Sequence, residues 1–406
     1  MLNNSIYLIY KSIGPSSFAC VNQLRHSLGA EKAGHIGTLD PFAEGLLPVF
    51  VNRATRLIPY LEVASKTYRA LVVLGAKSTS LDANGELVSK QELSFQAYYA
   101  LLKDDAALAK AQIQQLVGVS EQEIPLYSAK KVNGKKLYEY ARQNQSVEKQ
   151  YKTIEVTAAK LLNFQGIISQ TELAELDLAK LEQLYTERLN ELKQQKAWPN
   201  PTLFPAAKAR LQMKKLAKPL EQAAISAWCK FTPTLYFDIE FTVSKGTFIR
   251  ALVADLGKRL GTEAYTLRLL RTKVGQFDLA DAHSESEWQD LFAQTKSETE
   301  RAKLGLNLQT AFSNLPNYVC NDKEHKWLLQ GRTLSFYQKE LAKKPEYSTE
   351  HLWKNLINLP AMSIIKQRQY VLAIYEGQVI ALLSLQEMEQ GLQLVPERML
   401  FSHEDL

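Results

Sequence analysis

The chain is 406 residues long with a formal charge of +6, 46% apolar and 23% charged residues, the balance of a globular protein long enough for two domains or more. No run approaches the ~18–20 uncharged apolar residues of a membrane helix, and the opening MLNNSIYLIYKSIG has neither a signal-peptide nor a transit-peptide layout. Cys20, Cys229 and Cys320 are scattered and odd in number, which argues against a disulfide framework or a cysteine zinc site and makes a reducing cytoplasm the simplest compartment.

Residues 1–163 alternate short strand-like runs with compact helical ones. Within them, Gly34-His35-Ile36-Gly37-Thr38-Leu39-Asp40-Pro41 describes a loop of restricted shape, and Pro41 pushes Asp40 toward extended backbone. Asp-Pro also initiates turns, so a plain turn and a positioned carboxylate are both open readings. Lys66-Thr67-Tyr68 opens a strand that closes at Gly75. Tyr68 there serves either the core or as an aromatic face for a nucleobase. Asn84-Gly85 and Asn133-Gly134 signal turns, residues 135–142 suit one or two helical turns, and a strand is expected at 152–162.

From about 166 to 231 the pattern changes. Leu173, Leu176, Leu181, Leu184, Leu189 and Leu192 recur at roughly helical spacing. Trp198-Pro199-Asn200-Pro201 then breaks the run, and a second helical stretch reaches Trp228, kinked or ended at Pro219. The segment reads as a helical hairpin projecting from a sheet end without disturbing the core. Phe237, Ile239, Phe241 and Val243 then alternate with polar residues at a period of two. A helix follows with Ile249, Leu252, Val253, Leu256 and Leu260 on one stripe and Gly261 as its stop. Thr247 is the expected N-cap, which puts Arg250 in the first turn, where a cation opposes the helix dipole. Arg250 is either a surface residue with a buried stem or the partner of a fixed carboxylate. Beyond Ser313, short strands at 370–375 and 379–383 suggest a small β-rich domain.

Four of these stretches, in this order, resemble the motifs of TruB-type pseudouridine synthases. They are GHIGTLDPFAEGLLPVF, KTYRALVVLGAKSTSLDANGEL, PLYSAKKVNGKKLYEYAR and SKGTFIRALVADLGKRLGTEAYTLRLLRT. LGLNLQTAFSNLPNYV, QGRTL and LVPERML resemble, more weakly, the PUA-like domain that follows in such enzymes. The resemblance implies an α+β fold with a mixed, mostly antiparallel sheet, a catalytic domain at 1–312 carrying the helical insertion at about 166–231, and a PUA-like domain at 313–406. It implies isomerisation of uridine to pseudouridine at position 55, in the T-arm loop of tRNA. Asp40 would be the nucleophile, Tyr68 would stack on the uracil and Arg250 would pair with Asp40. His35 would hold the RNA with its nucleotide extruded, Leu269 would line the base pocket, and Lys66 and Phe248 would border the substrate.

The reaction is redox-neutral and loses no group, so neither cofactor nor metal is expected. tRNA is the expected partner, acted on by a monomer without an obligate protein partner. Lys130, Lys131, Lys135, Lys136 and Arg142 are candidates for phosphate contacts or for a solvated basic face, and a charge of +6 favours neither reading. The same two readings apply to Lys208, Arg210, Lys214, Lys215 and Lys218 in the insertion. Phe248 replaces the family's usual tyrosine, Leu270 the first arginine of its L-R-R pair, and KSIGPSS its K-P-x-G-x-T-S. Two competitors remain: the guide-RNA-dependent branch of the same superfamily, disfavoured by the opening motif and C-terminal segment, and an RNA-binding protein without catalysis. The second leaves Asp40 unexplained, because a carboxylate in an RNA site repels phosphate.

Overall fold

The computed structural model describes residues 4–61, 64–143, 145–194, 235–295, 297–313, 315–337, 369–388 and 391–400. The second half of the expected hairpin, with Trp198, Pro219 and the basic run at 208–218, lies outside the described residues.

The first strands are β1 (Ile6–Lys11), β2 (Ala33–His35), β3 (Glu44–Val51), β4 (Lys66–Leu74), β5 (Ala76–Ser78), β6 (Leu87–Lys90) and β7 (Gly118–Glu123). They continue as β8 (Lys131–Val132), β9 (Lys135–Lys136), β10 (Tyr151–Gly166), β11 (Leu235–Val243), β12 (Ala264–Val274), β13 (Phe277–Asp278) and β14 (His283–Ser284). The main sheet has the order β14-β1-β3-β12-β4-β11-β10-β7. Only the β1–β14 and β12–β3 pairs are parallel among its described pairings, so the sheet is mixed and mostly antiparallel, as expected.

On β11 the period of two becomes geometry. Phe237, Ile239, Phe241 and Val243 are buried, while Asp238, Glu240 and Thr242 stay partly exposed. β4 lies between β12 and β11 and is covered on both faces, which is why Ala70 through Leu74 read as an unbroken apolar run. The helix Ile249–Arg259 buries Ile249, Leu252, Val253 and Leu256 against the core that also holds Tyr68, Ala70 and Leu269, and Gly261 follows at φ +71°. Its N-cap is Phe248 and not Thr247. The Thr247 hydroxyl instead donates back to the Ser244 carbonyl at 3.0 Å, a local bond that competes with capping.

The first half of the insertion departs from expectation. β10 ends at Gly166, and the helices Gln170–Glu175 and Leu178–Gln194 follow. Leu181 and Tyr185 are buried in the main core, and the Tyr185 hydroxyl donates to the Leu93 carbonyl at 2.6 Å. Ile168 N–H donates to the Tyr98 hydroxyl at 2.9 Å, and a Cβ on Gly166 would stand 2.0 Å from that oxygen. This segment therefore joins the core instead of merely projecting from it, because Leu173, Leu176, Leu181, Leu184 and Leu189 pack in the core that holds residues of the helix Phe95–Gln114.

The C-terminal strands are β15 (Asn317–Val319), β16 (Leu334–Tyr337), β17 (Gln369–Tyr375), β18 (Gln378–Met388) and β19 (Gly391–Met399), in the order β15-β17-β18-β19-β16. This second, β-rich unit is consistent with the PUA-like expectation. It has a core of its own, yet Leu372, Ile374, Val379, Leu382 and Leu400 share another with Ile6, Leu8 and Tyr10 of β1. The docking is also polar: Arg56 Nη1 donates to the Met399 carbonyl at 2.6 Å. Among the described residues no helix is long and apolar enough to cross a membrane.

Candidate active site

The loop after β2 turns at Gly37, φ +69°, and carries Asp40 into a tight turn closed by Ala43 N–H donating to the Asp40 carbonyl at 3.0 Å. The turn and the positioned carboxylate are thus one feature. Residues 11–17 hold it. Gly14 N–H donates to the Pro41 carbonyl at 2.8 Å, and Lys11 Nζ donates to the Ala43 carbonyl at 2.7 Å. The Ser17 hydroxyl accepts from Leu39 N–H at 2.8 Å and donates to the Leu39 carbonyl at 3.0 Å. Lys11 and Ser17 are both buried. Burial pushes the Lys11 ammonium down to about 8, against the pull of Cys20, Glu44 and Asp40. The sequence departures in KSIGPSS leave these anchors intact, and Ser16 caps the helix Ser17–Ser27 through Ala19 N–H.

Arg250 faces this loop from the first turn of its helix. Its Nη2 lies 2.8 Å from Asp40 Oδ2, and its Nη1 lies 3.3 Å from Asp82 Oδ2. Nη1 also donates to the Ser80 carbonyl at 2.7 Å and Nη2 to the Tyr127 carbonyl at 2.9 Å. Two carboxylates and two carbonyls therefore satisfy the planar fork, which resolves the two readings of Arg250 in favour of a fixed partner. The carboxylates differ in one respect. The Asp40 side chain is 44% exposed and that of Asp82 only 6%. Asp82 accepts from the Ser80 hydroxyl at 2.6 Å and from Asn84 N–H at 2.9 Å. Its burial raises its carboxyl above the ordinary range, with Arg250 pulling it back. Asp82 is thus the buried carboxylate of the two, and Asp40 the accessible one.

The remaining candidates sit around this pair. Tyr68 on β4 is opposite Arg271 of β12 and Phe241 of β11, and Leu269 is opposite Ala70. Tyr68 and Leu269 share one core with Leu39, Phe42 and Ala43 of the Asp40 loop. Phe248 is half-buried, two residues before Arg250. His35 Nε2 lies 3.4 Å from Thr38 Oγ1 at the start of the loop. Lys66 is buried, donates to the Ala64 carbonyl at 2.9 Å, and leans on Gly37, where a Cβ would meet its Cε at 2.8 Å. Asp40 and Arg250 are in direct contact, Tyr68 and Leu269 pack in the core beneath the Asp40 loop's apolar residues, and His35 and Lys66 lie beside the start of the loop.

Sequence reasoning assigned no role to Asp82, Arg271, Lys11, Ser17 or Gln122. Arg271 is fully buried on β12, with Nε donating to the Leu46 carbonyl at 2.8 Å. Burial lowers its guanidinium and the Tyr68 hydroxyl beside it pulls the other way. The signal was an arginine directly after the apolar pair Leu269-Leu270 within a strand. Lys135 lies 4.6 Å from the Tyr140 ring centroid, and Lys136 and Arg142 lie 5.4 and 5.3 Å from that of Tyr138, on and beside the β8–β9 hairpin. Among the described residues no group of three or more His, Cys, Asp or Glu is arranged to hold a metal.

Residues 25–181 match the family model described as TruB family pseudouridylate synthase, N-terminal domain. The tRNA pseudouridine synthase B of Levilactobacillus brevis is 32% identical over 345 residues, covering 84% of this chain and 89% of that protein. The chain belongs to the TruB family of pseudouridylate synthases. The tRNA pseudouridine synthase B of Bacillus subtilis is 30% identical over 331 residues, 82% of this chain and 83% of that one. Among solved structures, a chain of the archaeal box H/ACA sRNP Nop10-Cbf5 complex superposes with a TM-score of 0.54 at 18% identity, covering 99% of this chain and 88% of that chain. A Cbf5-Nop10-Gar1 complex gives 0.55 at 17% identity, covering 99% and 86%. At such identity these share the fold. The reaction class of this TruB-family chain is the isomerisation of uridine to pseudouridine.

Proposed function

We propose that this chain converts uridine to pseudouridine at position 55, in the T-arm loop of tRNA, with Asp40 as nucleophile. The observation that carries the reading is the half-exposed Asp40 carboxylate held at 2.8 Å by a buried Arg250, on a loop whose Leu39, Phe42 and Ala43 share a core with Tyr68 and Leu269. The relatives named tRNA pseudouridine synthase B support tRNA as substrate.

A base inside a stacked loop is out of reach, so the uridine is extruded into the site, with His35 helping to hold the RNA. Asp40 attacks C1′ of the ribose or C6 of the uracil, or assists glycal formation. The C1′–N1 bond breaks and a C1′–C5 bond forms. The C5 proton leaves, N1 gains one, and no atom is lost overall. Arg250 supplies opposite charge and a fixed direction to the carboxylate. Tyr68 and Leu269 wall the detached uracil while it turns, and Tyr68 assists proton removal. Phe248 and Lys66 border the site. The balance of the reaction calls on no cofactor or metal. We place the catalytic domain at 1–312 and the PUA-like domain at 313–406, and propose a monomer that acts in the cytoplasm without an obligate protein partner.

Pseudouridine mapping in unmodified tRNA after incubation with the purified chain tests the substrate, and modification confined to another position would overturn it. Asp40→Asn tests the nucleophile. The amide keeps the shape of the side chain, so tRNA binding is retained and turnover is lost. Turnover by Asp40→Asn within about tenfold of the parent would overturn the role.

A further inference from the structure

β7 is a polar edge strand, GVSEQE, and Gln122 alone of its six residues is buried, at 3% exposure. Burying an amide is unfavourable unless its groups are satisfied. Here both ends of the amide meet one residue. Oε1 accepts from Phe248 N–H at 2.8 Å, and Nε2 donates to the Phe248 carbonyl at 3.1 Å. The side chain thus mimics the pairing a neighbouring strand would offer.

Phe248 is the N-cap of the helix that carries Arg250 in its first turn, and no side chain caps that helix. The approach is loose by composition, since Lys245 and Gly246 are exposed and Gly246 has φ +82°. Its ties to β10 are solvent-facing: Ser244 pairs with the backbone of Glu155, and Lys152 Nζ donates to the Lys245 carbonyl at 2.8 Å. Water competes for such bonds, whereas the Gln122 side chain is shielded. Five residues after Gln122, the Tyr127 carbonyl accepts from Arg250 Nη2. One short segment therefore touches both ends of the arginine: Gln122 at the backbone that leads into it, Tyr127 at its guanidinium.

We infer that Gln122 is a positioning residue for the isomerisation. By clasping both backbone groups of Phe248 it fixes the start of the helix, and with it the direction in which Arg250 holds Asp40. The inference rests on the function proposed above. A rotation of the helix start by a few degrees would move the guanidinium by more than the roughly 0.5 Å that a catalytic constellation tolerates.

The test uses the full chain with Gln122→Met, which keeps the volume and removes both hydrogen bonds, and Gln122→Glu, which keeps the acceptor and loses the donor. Gln122→Met should lower the single-turnover rate on unmodified tRNA by about tenfold to a hundredfold while tRNA affinity stays within about twofold. Gln122→Glu should fall between it and the parent. In an Arg250→Lys background Gln122→Met should add less than about twofold, because its effect passes through that arginine. Hydrogen exchange measured by mass spectrometry should be faster in Gln122→Met across 244–252. An unchanged rate in folded Gln122→Met overturns the inference, as do equal losses in both Arg250 backgrounds or a loss of affinity that accounts for the rate. An inactive parent counts against the proposed function; unchanged exchange at 244–252 overturns the clasp whether or not the parent is active.

Discussion

Two loops set up the Asp40–Arg250 contact, one carrying Asp40 and one leading into the helix of Arg250, and they are held in different ways. The Asp40 loop is gripped by Lys11, Gly14 and Ser17, which bind the backbone of Ala43, Pro41 and Leu39, and two of these anchors are buried side chains. The loop at 244–248 depends on exposed ties to β10 and on one shielded amide, Gln122, from 126 residues upstream of Phe248. Two buried side chains from outside, Lys11 and Ser17, anchor the first loop and one, Gln122, the second. A lost hydrogen bond should therefore disturb the arginine side more than the aspartate side.

The largest effect should come from removing the Asp40–Arg250 contact. Arg250→Ala leaves Asp82 buried without its cation, which destabilises the fold by about 3–5 kcal/mol, and it removes the charge that orients Asp40. The single-turnover rate should fall by at least about a hundredfold with little change in tRNA affinity. Adding Asp82→Asn should restore part of the thermal stability and none of the rate. If the double variant regains turnover, Asp82 and Asp40 are not divided between support and chemistry as the exposures imply.

A smaller effect is expected from Ser17→Ala, which removes both bonds to Leu39 and leaves Gly14 and Lys11 in place. Stability should drop by about 1–2 kcal/mol and the rate by less than about tenfold. A Ser17→Ala defect larger than that of Gln122→Met would reverse the comparison between the loops.

The smallest effect on the rate belongs to Lys11, whose mark is in the pH dependence of stability. Folding pushes Lys11 from 10.5 down to about 8, so between those values the unfolded chain holds the proton that the folded chain has released. Stability contributed by this group therefore rises with pH through that window. Lys11→Met should remove the rise. Denaturant unfolding at pH 8 and at pH 10.5 compares the two proteins, and parallel stabilities would show that Lys11 keeps its proton on folding in that window.

How much of this was legible in the sequence depended on distance along the chain. β11 and the helix Ile249–Arg259 were readable because each buries one face and its local period records it. Asp40 and Arg250 stood out because glycines, a proline and an awkwardly placed cation surround them. Asp82 was hidden in a stretch that reads as an ordinary turn, and its cationic partner is Arg250, far away in sequence. Gln122 was invisible, since a polar strand reads as solvent-exposed and five of its six residues are. Thr247 misled as a cap because its hydroxyl bonds backward to Ser244. The leucine stripe at 173–192 correctly signalled helix, but periodicity does not name the surface that a stripe covers. Here it is the helix Phe95–Gln114 and the end of β10, joined through Tyr98, Ile168 and Tyr185.

β1 joins parts of the molecule that its own sequence gives no reason to connect. Ile6, Leu8 and Tyr10 pack in the same core as Leu372, Ile374, Val379 and Leu382 of the C-terminal sheet, while Lys11, the next residue, grips the turn that carries Asp40. One strand thus serves as a common tie: the inner face of the C-terminal sheet packs in the same core as Tyr10, the neighbour of the residue that grips the Asp40 turn.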